Sequence, residues 1–493
     1  MAAKEKQMKR PLVLFSVMLG MFLSAIEGTI VATAIPTIVA DLGGFSLYSW
    51  VFSSYLLTSA ATILVFGKLA DIFGRKPIFI IGVIIFLIGS TLAGLSTSMF
   101  MLIISRFVQG VGAGALMPVA TTIVGDIYTK SERAKIQGYL SAVWGISAVS
   151  GPLLGGLFVD ILNWRYVFWM NLPLGILAML GIWFFLHEQM ENKEKKPIDY
   201  SGAILVVVCV STLMYLLVEG GIGIDWNSFI AYILISVTFL SFVLFMIIQK
   251  RAEDPMMPLI IWKSRMVSVA NIASLIAGMI IIGVSSYLPA FVQGVMGYSA
   301  TVAGFTLTAM SIGWPIAATI SGRLLLKVGY RVTSVSGGFF LIIGGLLFFL
   351  LTPEKGPLWA GIGSFFIGIG MGLTNTSFIV GIQNAVGWEI RGIATASNMF
   401  MRSLGSAIGA AYLGGLLNKG ILKQIESHGL GGELTVDSTN LLLDPKEKVN
   451  LSSEIINVLE NALTSGLHIV YLGIFILAVI GFIVICFIPK KEI

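Results

Sequence analysis

Two charged side chains and an amide lie inside apolar segments, where ionisable groups are costly and therefore suggest function. At 1.5 Å per helical residue, Glu27 would be about 22 Å from the start of its segment and Arg106 about 10 Å from the start of its own. Since these two segments run in opposite directions, the two groups have similar depth. Gln109 follows Arg106 on the same helix face and is a candidate substrate contact. Pairing favours the charged form of Glu27 and burial favours the neutral form, so this carboxyl is a candidate proton site. The alternative is a fixed structural ion pair.

A second set of residues, polar or aromatic and located in other apolar segments, are candidates for contact with a substrate. Arg402 is near the middle of its segment, and no acidic residue lies at similar depth to pair with it. It could bind backbone carbonyls, face a water-filled cavity, bind an anionic group or have a structural role. Aromatic rings can contact flat lipophilic cations through their π faces, although packing and lipid contact are the commoner roles. The aromatic candidates are Tyr55, Trp144 and Trp314, and the polar ones are Asn271, Gln293, Asn375 and Gln383.

The elements that must position these residues are long apolar runs, each sufficient for a membrane-spanning helix. We predict fourteen, near residues 12–37, 47–70, 77–97, 99–125, 135–161, 165–187, 200–220, 228–249, 267–293, 300–326, 333–352, 357–380, 392–417 and 467–488. An even number returns both termini to the same side. The first run is expected to be a retained helix rather than a cleaved signal peptide, because no small-residue cleavage site follows it.

Composition agrees with an all-α membrane protein. The 493 residues are 56% hydrophobic and only 11% charged, about half the charge of an average soluble protein. The net charge of +6 is spread over short loops rather than one face, which argues against nucleic-acid binding. Most of the 31 Lys and Arg residues fall on the side of the termini, which predicts that both termini are cytoplasmic. The two cysteines lie in apolar runs and are not expected to form a disulfide.

The chain repeats itself at about half its length. The basic loop Gly67–Lys76 has a second copy at Gly322–Arg331, and the pairs Arg133/Arg391 and Gly151/Gly409 share one separation of 258 residues. Internal repeats of this kind are typical of secondary transporters. We therefore predict two pseudo-symmetric six-helix bundles, residues 1–187 and 267–493. Residues 188–266 would be cytoplasmic linkers with an inserted helix pair, and loop 418–466 would be a solvated excursion, a gate or a partner-binding cap.

Glycines mark the places where helices approach closely. The run from Gly151 and Pro152 to Gly155 and Gly156 lies inside the fifth predicted helix. Small residues permit close helix contact, and proline bends a helix by removing a backbone hydrogen bond. A bent and tightly packed fifth helix would suit an interface at which two bundles rock.

Four motifs resemble those of the major facilitator superfamily, and within it the fourteen-helix drug:proton antiporters. The loop Gly67–Lys76 resembles the signature between helices 2 and 3, and Arg106–Gly110 is similar to the helix 4 signature. Residues 151–156 resemble the exporter signature of helix 5, and residues 164–175 a stretch of the fourteen-helix group. The resemblance covers nearly the whole chain except loop 418–466. It departs at Glu27, where Asp is usual, and at Ser147, where Gly is usual.

The resemblance implies roles for these residues. Glu27 would be the site of protons and cationic substrates, and Arg106 would modulate it. Gly67, Asp71, Gly74, Arg75 and Asp126 would form a cytoplasmic latch that holds the outward-open state, with Asp71 near the start of helix 13, where the helix dipole favours an acid. The expected activity is export of lipophilic cations or other amphipathic drugs and antibiotics, driven by a proton gradient without any cofactor. The protein is expected to be a monomer in the cell membrane.

Other functions remain open at this stage. One specific substrate, such as a lipid or an anionic metabolite, would use the same mechanism, and importers or uniporters share the architecture. A membrane enzyme is disfavoured because no zinc-ligand or nucleophile arrangement stands out and no nucleotide-binding Gly-rich loop is present. A drug sensor without transport activity would keep a cavity but would not need Asp71, Arg75 and Arg106 together.

Overall fold

A computed structural model describes residues 9–128, 130–188, 199–220, 223–252, 255, 259–387, 390–428, 434–443 and 451–490. This part of the chain is helical throughout, and its only β contact is an isolated bridge between Gly220 and Ile224. The predicted all-α class is confirmed.

The long helices follow the predicted runs in order and number. They are α1 Arg10–Leu42, α2 Tyr48–Phe73, α3 Arg75–Gly94, α4 Met99–Ile127, α5 Lys130–Ile161, α6 Tyr166–Phe185, α7 Tyr200–Glu219, α8 Phe229–Arg251, α9 Arg265–Ala290, α10 Ala300–Leu325, α11 Lys327–Phe349, α12 Gly356–Ala385, α13 Arg391–Ser427 and α14 Ser453–Cys486. Within the described residues, thirteen of these are long and apolar enough to cross a membrane. Helix α13 has the length but is more polar, because it carries Arg402 and many Gly, Ser and Asn residues.

Helices α1 to α6 form one bundle and α9 to α14 form another, with matching neighbours in each. Helix α1 packs on α5 and α6, and α9 packs in the same way on α13 and α14. In the first bundle α4 packs on α2 and α3, and in the second α12 packs on α10 and α11. We call the side at which α1 begins and α14 ends the terminal face, and the other side the distal face.

Glycines at equivalent positions make the same helix contacts in both bundles. A Cβ at Gly112 would lie 2.6 Å from the carbonyl oxygen of Gly82, and a Cβ at Gly370 would lie 2.8 Å from that of Gly337. Gly370 follows Gly112 by 258 residues, and Gly337 follows Gly82 by 255. The predicted pseudo-symmetry is therefore visible in individual backbone contacts as well as in helix order.

The inserted helices α7 and α8 pack on each other, and α7 also touches α2 of the first bundle and α13 of the second. Buried apolar side chains join the three elements, among them Leu57, Met214 and Ala411. Much of α8 is exposed, including Phe229 and Phe239. Apolar surface of this kind on a helix that is long enough to span a bilayer suits contact with lipid.

The long distal connection is shorter than the predicted excursion over residues 418–466. Helix α13 continues to Ser427, and α14 begins at Ser453 rather than near residue 467. Residues 453–463, which fall inside the predicted loop, form the first part of α14, because neither Gly466 nor a proline breaks the helix. Between the two helices, the described segment 434–443 folds into a short helical turn, Val436–Thr439, and a second turn, Asn440–Leu443.

The bundles touch each other on the distal side of the molecule. Gln293 donates a hydrogen bond to the Thr33 carbonyl at 3.0 Å, and the Tyr48 hydroxyl donates to the Ser286 carbonyl at 2.5 Å. Ser46, in the turn between α1 and α2, donates its N–H to Asp437 at 2.8 Å and accepts from the Asn418 amide at 2.9 Å. Within the described residues, the hydrogen bonds that join the bundles lie from mid-depth to this face, so the distal side is closed.

Candidate functional site

The predicted acid and base meet in the core of the first bundle. Glu27 of α1 and Arg106 of α4 form an ion pair through Oε1 and Nη1, and their side chains are 0% and 1% exposed. Glu27 comes from the middle of α1 and Arg106 from the first third of α4, and these two helices pack together. A buried ion pair is tolerated only where both charges find good partners, because desolvation of each ion is expensive.

Arg106 has further partners besides the carboxylate. Its Nε donates to the Val51 carbonyl at 3.2 Å, and Nη1 donates to Gln109 Oε1 at 2.7 Å. The guanidinium also lies 4.2 Å from the centre of the Tyr55 ring, within the range of a cation–π contact. Tyr55 and Gln109, both predicted as substrate contacts, thus hold the arginine in place.

Asn171 completes this site and was not among the predicted residues. It lies in α6, and its Nδ2 donates to Glu27 Oε2 at 2.8 Å and to Ser90 Oγ at 3.0 Å. Its Oδ1 is buried and has no hydrogen-bond partner among the described residues. The residue stands within the stretch 164–175 that carries the family resemblance, but an amide gives no charge signal by which its role could be recognised.

Arg402 is the deep charge of the second bundle, and its surroundings are different. Its Nη1 donates to Asn375 Oδ1 of α12 at 2.9 Å. Within the described part of the chain it makes no ion pair, whereas Arg106 has Glu27. Arg402 is partly exposed rather than fully buried.

The remaining polar candidates separate into different places. Asn271 is buried between α9 and α13, where it donates to Ser397 Oγ at 3.0 Å and accepts from Asn398 at 3.2 Å. Gln293 is at the distal contact between the bundles. Gln383 lies close to the terminal end of α12 and is partly exposed, two helical turns from Asn375. Their roles in substrate binding stay predictions.

The two tryptophan candidates also differ from each other. Trp144 of α5 is 48% exposed, so its ring is available for contact with another molecule. Trp314 of α10 is partly buried and packs against the central apolar core. The position of Trp144 suits contact with a substrate, and that of Trp314 suits packing between helices.

At the terminal face, two of the predicted latch residues pair. Arg75 Nε is 2.6 Å from Asp126 Oδ2, which joins the start of α3 to the end of α4. Gly74 has φ of 95°, a left-handed conformation that glycine adopts readily, and permits the sharp turn between α2 and α3. A Cβ added at Gly67 would lie 4.0 Å from the Pro118 side chain, which is ordinary van der Waals contact. The side chain of Asp71 lies outside the described residues.

Glu188 supports the same turn, and sequence reasoning had assigned it no role. Its carboxylate accepts hydrogen bonds from the backbone N–H groups of Arg75 at 2.8 Å and Lys76 at 3.1 Å. An acid at a helix N-terminus satisfies free N–H groups and interacts well with the helix dipole. Glu188 lies three residues after the end of α6, so residues of α3, α4 and the segment after α6 hold this turn together.

The glycines of α5 place this helix between the two bundles. A Cβ at Gly151 would be 2.0 Å from Thr29 Oγ1 of α1, and one at Gly155 would be 2.5 Å from the Ile30 carbonyl. On the opposite side, a Cβ at Gly156 would be 2.6 Å from the Thr301 Cα in α10. Pro152 lies inside the helix between these contacts. Helix α5 is thus in contact with its own bundle and with the other one.

Comparisons with known proteins agree with this architecture. The family described as Major Facilitator Superfamily matches residues 17–410. The chain is 35% identical to "Multidrug resistance protein 3" of Bacillus subtilis (strain 168), over 99% of this chain and 97% of the relative. It is 36% identical to "Multidrug transporter protein MdtP" of the same organism, over 85% and 77%. Among solved structures, a bacterial homolog to the human lysosomal transporter Spinster, in an inward-facing and occupied conformation, matches with a TM-score of 0.69 at 16% identity, over 97% of this chain and 96% of that one. This likeness concerns the fold alone.

Proposed function

The chain belongs to the major facilitator superfamily, and from this membership we propose that it is a proton-coupled exporter of lipophilic, cationic drugs and antibiotics. Membership points to a multi-pass membrane transporter rather than an enzyme. Relatives named for multidrug resistance and multidrug transport, similar over most of their length, support a drug substrate. The observation that carries the proposal is the buried Glu27–Arg106 pair.

The geometry supports Glu27 as the residue that exchanges protons and cations. Its carboxylate has one cationic partner and one amide partner, so a proton or a substrate cation that arrives there competes with Arg106. When Glu27 is protonated, Arg106 keeps the Val51 carbonyl, the Gln109 oxygen and the Tyr55 ring. The arginine is therefore not stranded without partners when its counter-ion is neutralised.

Asn171 is suited to both protonation states of Glu27. Its NH₂ group donates to the carboxylate, and its buried Oδ1 has spare capacity to accept a hydrogen bond from the O–H of the neutral carboxylic acid after rotation of the amide. A side chain that can both donate and accept reduces the free-energy difference between the two states. We propose that it positions Glu27 rather than binding substrate itself.

The proposed cycle uses both faces of the molecule. We assign the terminal face to the cytoplasm, so that the closed distal side makes the described conformation inward-facing. The latch of Asp71, Arg75 and Asp126 would hold the outward-open state through contact of Asp71 with α13, since the Arg75–Asp126 pair lies within the first bundle and is present in the inward-facing conformation as well. Helices α5 and α13 would be the ones on which the bundles rock. Residues 1–187 and 267–493 are the proposed rocking units, residues 188–266 the insert, and a monomer is the proposed working form.

The first test is ethidium uptake into inside-out vesicles under an imposed pH gradient. We expect uptake by the wild type, its loss on addition of a protonophore, and its loss in Glu27→Gln. Glu354→Gln is the matched control, since Glu354 is an exposed acid in a distal turn, and should transport normally at equal protein amounts.

Each alternative outcome identifies a different error. Normal transport by Glu27→Gln with unchanged pH dependence would make Glu27 structural and would direct the search to Asp71, Asp126 or Glu219. Wild-type vesicles could fail to take up ethidium but release protons when a lipid or an anionic compound is added. The proton-coupled mechanism would then stand, and the proposed substrate class would be wrong. Ethidium binding without any movement of dye or protons would favour a sensor.

A further inference from the structure

Arg402 is a deep cation for which the described structure provides no counter-ion. It lies about 16 Å along α13 from the start of that helix, and Asn375 lies about 15 Å along α12 from the terminal end of that helix. A charge at such depth is costly unless it is paired or faces a cavity. Among the described residues, the Arg402 side chain makes one hydrogen bond, and its partner Asn375 is neutral.

The other nitrogen atoms of Arg402 have no hydrogen-bond partner among the described residues, and the side chain is partly exposed. The NH₂ group of Asn375 is in the same situation, because its Oδ1 is used and the side chain is partly exposed. Two adjacent side chains therefore offer free N–H donors and no free acceptor.

The repeat locates this pair relative to the first bundle. Residue 402 follows residue 144 by 258, the separation that also relates Gly409 to Gly151, so Arg402 occupies the position of the exposed Trp144. One bundle presents an aromatic face at this position, which attracts cations, and the other presents a guanidinium, which attracts anions. The two equivalent positions together suit a substrate that has charges of both signs.

We propose that Arg402 and Asn375 form an anion subsite that binds the carboxylate of an amphipathic aromatic substrate. The guanidinium provides charge-assisted hydrogen bonds, and Asn375 both orients it and adds a donor. This inference rests on the proposed export function and names the part of the substrate that the Glu27 site does not bind. It extends the substrate class from lipophilic cations to zwitterions.

The test compares rhodamine B, which has a free carboxylate, with its ethyl ester, in which that charge is absent. Binding of each dye to the purified full-length protein in detergent is measured by fluorescence anisotropy at neutral pH. We expect Arg402→Gln to weaken rhodamine B binding about tenfold, as the loss of a charge-assisted hydrogen bond would. Binding of the ester should change by less than about twofold.

Two variants control for structure and charge. Arg251→Gln removes an exposed arginine at the end of α8 and should leave both dyes unaffected. Arg402→Lys keeps the charge without the planar fork and should lie between wild type and Arg402→Gln for rhodamine B. Equal ester binding by all variants shows that the site is folded.

Four results would overturn the proposal. Arg402→Gln could weaken both dyes equally, which is the effect of a structural residue. The wild type could bind rhodamine B no more tightly than its ethyl ester. It could also bind neither of the two dyes. Exchange of chloride for gluconate could lower the thermal stability of wild type but not of Arg402→Gln while both dyes bind alike, which would assign the subsite to an inorganic anion. No proton gradient enters this assay, so its outcome is independent of the ethidium transport test.

Discussion

The two bundles share their backbone contacts but not their charges. At the terminal turn, Arg75 and Asp126 of the first bundle form an ion pair. The equivalent positions of the second bundle, 255 and 258 residues later, are Tyr330 and Asn384, and these form a neutral hydrogen bond. Gly74 and Gly329, which precede Arg75 and Tyr330, both have positive φ, so the same turn carries different chemistry.

In the bundle cores, too, a charged residue of the first bundle corresponds to a neutral residue of the second. Arg106 corresponds to Ser364, which is buried, and helix α9 has no charged residue after Arg265. Helix packing thus constrains glycine positions in both halves, while ionisable groups are free to differ. We interpret the first bundle as the half that couples protons to the cationic part of the substrate and the second as the half that recognises an anionic part.

The strongest test of this division is the buried ion pair. Arg106→Gln leaves the Glu27 carboxylate without its cation, and breaking a buried pair costs about 3–5 kcal/mol. We expect a decrease of this order in the free energy of unfolding, measured by denaturant titration of the purified protein, together with loss of proton-driven ethidium uptake. Arg402→Gln, which breaks no ion pair, should change the stability far less.

The double variant Glu27→Gln with Arg106→Gln distinguishes a functional pair from a fixed one. It should recover most of the stability, because no unpaired charge remains, but none of the transport. Recovery of transport as well would mean that the pair is structural, and the two cores would then differ only in packing.

A smaller effect is expected at the glycines through which α5 and α13 pack on the first helix of their own bundles. A Cβ at Gly405 would lie 1.9 Å from the Leu275 carbonyl oxygen, which is backbone and cannot move away, whereas a Cβ at Gly151 meets the Thr29 side chain. Gly405→Ala should reduce the free energy of unfolding by about 1–3 kcal/mol, and Gly151→Ala should reduce it less.

Gly361→Ala is the control for these two variants, since nothing lies within 4 Å of its added Cβ. It should stabilise α12 by about 0.5–1 kcal/mol through helix propensity alone. If Gly151→Ala is as damaging as Gly405→Ala in the same titration, Thr29 is as immobile as backbone, and α5 and α13 are packed equally tightly.

The smallest effects are expected at the terminal turns. Asp126 is 49% exposed, so loss of its ion pair with Arg75 in Asp126→Asn should cost at most about 1 kcal/mol. Tyr330→Phe removes a neutral hydrogen bond worth about 0.5–1.5 kcal/mol. Salt screens exposed charges, so the cost of Asp126→Asn, measured by thermal unfolding, should shrink at high salt, and that of Tyr330→Phe should not. Equal salt responses would contradict the difference between the two turns.

The parts that sequence reasoning recovered are those with a strong physical signal. Apolar length located the helices, and the cost of burying charge identified Glu27 and Arg106 as partners. Asn171 was missed because a neutral amide carries no such cost, and the Tyr330–Asn384 contact was missed for the same reason. The start of α14 was misplaced because Glu454 and Glu460 marked the segment as extramembrane, although no residue there breaks a helix.

The two hydrogen bonds of Ser46 impose an order on biosynthesis. Their acceptor and donor, Asp437 and Asn418, follow Ser46 by 391 and 372 residues. At a synthesis rate of about 5–20 residues per second, the turn between α1 and α2 waits roughly 20 to 80 seconds for these partners. The turn between α1 and α2 therefore lacks these two hydrogen bonds until the last part of the chain has been synthesised. Closure of the distal side is thus one of the final steps of assembly.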